Sequence, residues 1–163
     1  MKKLLVVLLS VFMLVGCGGG DKPSTNVDTP KDGFEFVVNG TTVKMNQETS
    51  EVLTSLGSEI SYFEAPSCAF NGLDKTYTYA GYQLITYPNG DKDYVNSIVL
   101  KDDTVTTKEG LYIGGSKANV ETTYGTDYEN VNGAYVYTKG DSKLEFIFNG
   151  DVISSITYTA ITK

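Results

Sequence analysis

Two stretches of equal length and like pattern set the frame for this chain. Thr41 to Gly57 reads Thr-Thr-Val-Lys-Met-Asn-Gln-Glu-Thr-Ser-Glu-Val-Leu-Thr-Ser-Leu-Gly, and Glu109 to Gly125 reads Glu-Gly-Leu-Tyr-Ile-Gly-Gly-Ser-Lys-Ala-Asn-Val-Glu-Thr-Thr-Tyr-Gly. In register, Val43 meets Leu111, Met45 meets Ile113, Val52 meets Val120, Leu56 meets Tyr124 and Gly57 meets Gly125. A recurring pattern of this kind marks one supersecondary unit used twice. Each copy reads as a short strand, a turn, a helix of two to three turns and a glycine stop, followed by a run of strands. The fold class expected is therefore α+β, a tandem duplication of a helix plus antiparallel-strand unit. The two repeats, 34–103 and 104–163, would form one open antiparallel sheet backed by short helices.

The rest of the folded part follows turn chemistry. Asn39-Gly40 between Phe34–Val38 and Thr41–Met45 predicts a hairpin, because both residues tolerate positive φ. Asn46 is expected to cap the first helix, with Val52, Leu53 and Leu56 on its buried face, and Ser116 to cap the second, with Val120 and Tyr124 stacked at i and i+4. Ile60 to Leu73 reads as an irregular, apolar loop. Strands are expected over 76–80, 82–87 and 94–100, and again over 134–138, 143–148 and 152–161. Asn71-Gly72 and Asn89-Gly90 in the first copy match Asn132-Gly133 and Asn149-Gly150 in the second. Toward the end of the chain Leu144, Phe146 and Phe148 alternate with Glu145 and Ile147, so one sheet face is apolar and the other is rich in Thr, Ser and Tyr.

The amino terminus is an address. Met1-Lys2-Lys3 is a positive n-region, Leu4 to Val15 is almost wholly apolar, and small residues precede Cys17. The apolar run is shorter than the roughly 20 residues a spanning helix needs. It fits a secretory signal over residues 1–16. Leu14-Val15-Gly16-Cys17 resembles the lipobox of bacterial lipoproteins, in which the cysteine thiol takes a diacylglycerol and becomes the first residue of the mature chain. That resemblance implies a fatty-acylated (palmitate-type) membrane anchor at Cys17 and a location on the outer face of the bacterial cell membrane. Residues 18–33 are built of Gly, Pro, Ser, Thr, Asn and charge with one apolar side chain, which predicts a disordered tether over 17–33. Such a coil would span on the order of 20–25 Å.

Composition removes function classes. The chain has no His, no Arg and no Trp among its 163 residues. Without His the usual neutral-pH general base and the commonest zinc ligand are missing. Without Arg there is no bidentate fork for phosphate or guanine, and a net charge of −7 repels a polyanion, so nucleic acid is not an expected partner. Loss of Lys2 and Lys3 with the signal would leave 11 basic against 20 acidic residues, a net −9, holding the domain off an anionic lipid surface.

Single-residue chemistry is sparse. Cys68 has no His or Arg to lower its pKa and is expected as a buried structural thiol. Asp91, Asp93 and Asn96 lack the glycine and glutamate that complete an EF-hand loop, so a solvated hairpin tip is expected there. Gly114-Gly115 lacks the Lys-Ser/Thr of a P-loop and reads as a turn. No cofactor or metal is expected. The aromatic set stands out: Tyr77, Tyr79, Tyr82, Tyr87, Tyr94, Tyr135, Tyr137 and Tyr158 spread over the strands of both halves. Tyr supplies large contact area at low entropy cost, so these residues are candidate partner-binding groups; as good strand formers they would equally sit half buried.

The segment Ile113 to Gly125 resembles the short helical motif shared by the β-lactamase inhibitory protein family and the small outer-membrane assembly lipoproteins. The repeated lead followed by an antiparallel run is similar in pattern to that family from Phe34 to Ile161. The resemblance implies a concave antiparallel sheet backed by short helices, whose aromatic and hydroxyl side chains meet a protein partner. With one cysteine beyond Cys17, no intradomain disulfide can form, and no inhibitory residue carries over. The function expected is a non-catalytic, membrane-anchored module that binds a protein or an envelope polymer through an open Tyr/Thr-rich face. The alternatives are an extracytoplasmic hydrolase with acidic residues in a cleft, or an accessory subunit of an envelope assembly or secretion complex.

Overall fold

The structure, a computed structural model, describes residues 32–162. The signal segment, Cys17 and the tether through Lys31 lie outside the described residues. The chain starts with a hairpin of β1 (Glu35–Val38) and β2 (Thr41–Lys44), then α1 (Thr49–Leu56). Four antiparallel strands follow: β3 (Ser61–Pro66), β4 (Leu73–Tyr79), β5 (Tyr82–Asn89) and β6 (Lys92–Leu100). After α2 (Lys117–Tyr124) come β7 (Glu129–Val131), β8 (Ala134–Lys139), β9 (Ser142–Asn149) and β10 (Val152–Ala160). Strands β3 to β10 form one eight-stranded sheet in the order β3-β4-β5-β6-β10-β9-β8-β7. Two four-stranded meanders thus meet at a β6–β10 seam, where Thr157, Tyr158 and Thr159 pair with Val99, Ile98 and Ser97.

Local chemistry explains the helices. Gly57 (φ +77°) and Gly125 (φ +82°) end α1 and α2, each amide donating back to a carbonyl of the last turn, Leu53 at 3.1 Å and Glu121 at 2.9 Å. A residue with Cβ resists that φ, which is why glycine stands at both stops. Ser116 caps α2, its hydroxyl accepting from the Asn119 amide at 3.2 Å. The cap of α1 is Glu48, whose carboxylate accepts from the Ser50 amide at 3.0 Å. Asn46 does not cap the helix. It sits two residues earlier with φ +61°, and its side chain reaches other elements instead.

The two halves share backbone detail. The Asn46 amide donates to the Val95 carbonyl (2.9 Å) while the Val95 amide donates to Gln47 (2.8 Å); Gly114, Ile153 and Gly115 make the same reciprocal pair, both at 2.8 Å. A bulge leaves Asn96 unpaired in β6, and another leaves Ser154 unpaired in β10. The leads differ. No strand forms over residues 104–113, because Gly110 (φ +90°) and Gly114 (φ +100°) break the extended run and the Thr107 amide turns back onto the Leu111 carbonyl at 2.7 Å. The stretch read as an irregular loop also differs from expectation, since residues 61–66 pair with β4 throughout. An edge strand exposed on both faces carries no hydrophobic alternation to reveal it.

The core lies on the sheet face that the helices and the β1–β2 hairpin cover. Leu84, Ile98, Leu144, Phe146 and Ile156 are completely buried there, with Phe36, Val43, Val52 and Val120 packed down from the covering layer. Phe36 contacts Tyr82 of the first meander (ring centroids 5.0 Å) and Tyr158 of the second (5.9 Å).

Glu35 adds an electrostatic tie to that layer, its carboxylate lying 3.1 Å from Lys44 and 2.6 Å from Lys108. Hydrogen bonding to Lys108 and then Lys44 holds its pKa below the ordinary glutamate range. The folded state therefore gains stability from this group above about pH 4.3, and loses it as pH falls through the lowered pKa. Glu35→Gln should cost roughly 0.5–1 kcal/mol at pH 7. In urea melts as a function of pH, that gap from wild type should close on the acid side; a constant gap down to pH 2 would show that the carboxylate charge is not what matters.

Candidate functional site

Strand alternation fixes which side chains can meet a partner. Across the inner face, Tyr77, Leu84, Ile98, Tyr158, Leu144 and Tyr137 are paired neighbours in one row, so these tyrosines face the core. Tyr79, Tyr82, Tyr135, Tyr137 and Tyr158 all belong to the core cluster, and Tyr77 packs against it. Two of their polar ends are occupied inside: Tyr135 donates to Glu121 of α2 at 2.9 Å, and Tyr137 to the Gly125 carbonyl at 2.8 Å. The Tyr79 and Tyr158 hydroxyls are buried without a hydrogen-bond partner among the described residues. Burial pushes the Tyr82 and Tyr137 phenols up to about 12, so they stay protonated.

Tyr87 and Tyr94 alternate to the opposite face, where Tyr87 stacks between Phe70 and Tyr94 and is covered. Of the tyrosines expected at a contact surface, Tyr79, Tyr82, Tyr87, Tyr135, Tyr137 and Tyr158 are buried, and Tyr77 is partly buried. Tyr135 and Tyr137 bury a large ring with the hydroxyl partnered, whereas Tyr79 and Tyr158 bury theirs with the hydroxyl unmet.

The outer face is built differently. Thr76, Ile85, Ser97 and Thr159 form one row across β4, β5, β6 and β10, and Thr78, Gln83, Val99 and Thr157 form the next. None of the eight carries charge, and apart from Ser97 all are half exposed. The Gln83 amide donates to the Thr78 hydroxyl at 3.2 Å, so part of this surface is ordered by its own side chains. The rows cross three strand spacings, about 14 Å. Along these rows charge returns at Lys143 and Glu145 of β9, and along β4 at Asp74, two residues before Thr76. The Thr and Ser alternation of β10 is legible in the sequence; that Thr76 and Thr78, rather than the neighbouring tyrosines, supply the other half is not.

The remaining features are quickly placed. A groove of about 580 Å³ opens between the β1–β2 hairpin, the end of α1 and residues 104–106, floored by Tyr79 and Tyr82. No carboxylate, lysine or cysteine lines it. Asp93, at the β5–β6 tip, is ion-paired to Lys75 at 2.7 Å. Among the described residues no group of three or more His, Cys, Asp or Glu is placed to hold a metal ion, and no helix is long and apolar enough to cross a membrane. Cys68 is exposed, contrary to the buried thiol expected; in the loop between β3 and β4 it is Phe70, stacked on Tyr87, that packs inward.

No family model, curated protein or solved structure matches the chain. What the site can do therefore rests on its own geometry, an uncharged, hydroxyl-rich patch on the outer face of the sheet. Such a surface offers hydrogen bonds and apolar contact together but no converging acid, base or nucleophile.

Proposed function

We propose that this chain is a non-catalytic binding module, tethered by an acylated Cys17 to the outer face of a bacterial membrane, that engages a protein or envelope polymer through the outer face of its sheet. The observation that carries the reading is the two-row block of Thr, Ser, Gln, Val and Ile, whose members other than Ser97 are half-buried rather than packed into the core. An exposed face that mixes apolar and hydroxyl groups and excludes charge has the makeup of an interface centre. The uncharged groove supports a binding role over glycoside hydrolysis, for which paired carboxylates would be needed. The matched bulges, glycine stops and reciprocal bonds support a second part of the reading, that the chain is a tandem duplication. The resemblance to the inhibitory-protein fold is part of the same proposal.

The test is capture of partners from envelope extracts with wild type, Thr76→Lys/Thr159→Lys and Cys17→Ser chains. The two lysines place unpaired charge in one row of the patch, and recovery of the partner should fall at least tenfold while the circular dichroism spectrum is unchanged. Cys17→Ser should leave the membrane fraction yet still capture the partner. Undiminished capture by the double lysine variant would move the binding site elsewhere, and a Cys17→Ser chain still embedded in membrane would remove the anchor.

A further inference from the structure

The eight-stranded sheet ends on one side at β7, three residues long, and on the other at β3, six residues long and exposed along nearly its whole length. Phe63 is 67% exposed and Tyr62 45%. Long bare edges of this kind invite strand pairing unless something blocks them.

The hydrogen-bonding pattern of β3 limits what can pair with it. The Ser67 amide donates to the Gly72 carbonyl at 3.0 Å, directly opposite in the β3–β4 register. Antiparallel ladders alternate, so Ala65, Phe63 and Ser61 also bond inward to β4. Tyr62, Glu64 and Pro66 then turn their backbone groups outward. Pro66 has no amide hydrogen, and the Ile60 amide is engaged by the Thr78 carbonyl at 2.7 Å. The outward donors of this edge are the amides of Tyr62 and Glu64, placed symmetrically about Phe63.

We infer that β3 pairs with β3 of a second copy, antiparallel, on a two-fold axis through Phe63. In this register Tyr62 of each chain lies opposite Glu64 of the other, and all four outward amides find carbonyls. Centring instead on Glu64 would oppose two carboxylates and leave each Tyr62 carbonyl facing a proline with no amide hydrogen; centring on Tyr62 would leave the Glu64 carbonyls facing an engaged amide. The Tyr62 hydroxyl already bonds the Glu64 carboxylate within one chain, so the crossed arrangement keeps each carboxylate beside a phenol. The two Phe63 rings meet on the outer face, flanked by the small residues Ser61 and Ala65. Pairing stops where Pro66 and Ile60 face each other, which leaves no amide orphaned at either end. The result is a continuous sheet of sixteen strands, twice the eight of one copy. The contact strip is short, so the association is of the weak, concentration-dependent class.

The register makes the test sharp. Directly opposed residues of a non-hydrogen-bonded antiparallel pair have Cα atoms about 4.5 Å apart, within the span that a disulfide bridges. In the full-length chain with Cys17→Ser and Cys68→Ser, Phe63→Cys should give one disulfide-linked dimer under mild oxidation. Ala65→Cys, displaced from its own copy across the axis, should link at least tenfold more slowly. Glu64→Pro deletes one of the two donors and should abolish dimer in sedimentation velocity, with wild-type circular dichroism retained. Linking of Phe63→Cys no faster than Ala65→Cys, or a Glu64→Pro chain that dimerises like wild type, would overturn the pairing. Because these readouts need no envelope partner, they stand apart from the capture experiment above.

Discussion

Phe36→Ala should be among the most damaging single substitutions in this domain, lowering stability by about 3–5 kcal/mol. Phe36 is completely buried, and its ring touches Tyr82 on one meander and Tyr158 on the other. It is the side chain through which the β1–β2 hairpin holds both halves. Truncation removes the transfer free energy of the ring and leaves a cavity that two rigid tyrosines cannot close. The urea midpoint should fall by about 2 M. Phe63→Ala, which removes an equal ring from an exposed position, should change monomer stability by less than about 0.5 kcal/mol. Equal losses at the two sites would mean that the hairpin is not docked as described.

The second large effect is expected at Asn46. Its backbone is left-handed (φ +61°), and its side chain joins parts of the fold far apart in sequence. Oδ1 accepts from the Tyr87 hydroxyl at 2.9 Å, while Nδ2 donates to the Asp141 carbonyl at 3.2 Å and the Ile161 carbonyl at 3.4 Å. Asn46→Ala loses these bonds and forces an ordinary side chain into a left-handed backbone, for a combined cost of about 3 kcal/mol. Asn46→Gly relieves the backbone while losing the same bonds, and should cost about 1 kcal/mol less. The ordering alanine worse than glycine is the decisive feature of the chemical melts. The reverse ordering would show that the left-handed conformation is not held. Position 114, which makes the matching backbone bond in the other half, is already glycine.

These two residues illustrate how far sequence reading reaches. Both helices, their glycine stops and the Asn-Gly turns were legible because local chemistry dictates them: a positive φ needs Gly or Asn whatever surrounds it. Asn46 was legible as special but not in its role, since the same short amide that caps helices also tolerates φ above zero, and only tertiary partners separate the two uses. The orientation of the tyrosines was a harder case. Tyr77 and Tyr79 alternate with Thr76 and Thr78, and both residue types fit either side of a sheet. A clue was nevertheless present: a two-residue turn at Ala80-Gly81 sets Tyr79 opposite Tyr82 and Tyr77 opposite Leu84, which commits those rings to the face of a leucine. The outer patch was half visible, through the Ser and Thr of β10. Strand β3 was invisible, because an edge exposed on both sides imposes no period on its side chains.

The brevity of the β6–β10 seam has a kinetic consequence. Within each meander every strand pairs with its neighbour in sequence, so hairpins can zip from their own turns with little loop entropy to overcome. The seam joins Val99 to Thr157 and Ile98 to Tyr158 across the whole second unit. Closing a loop of that length is slow and is rewarded by few backbone bonds, so folding speed should be governed by this one joining event rather than by the number of strands.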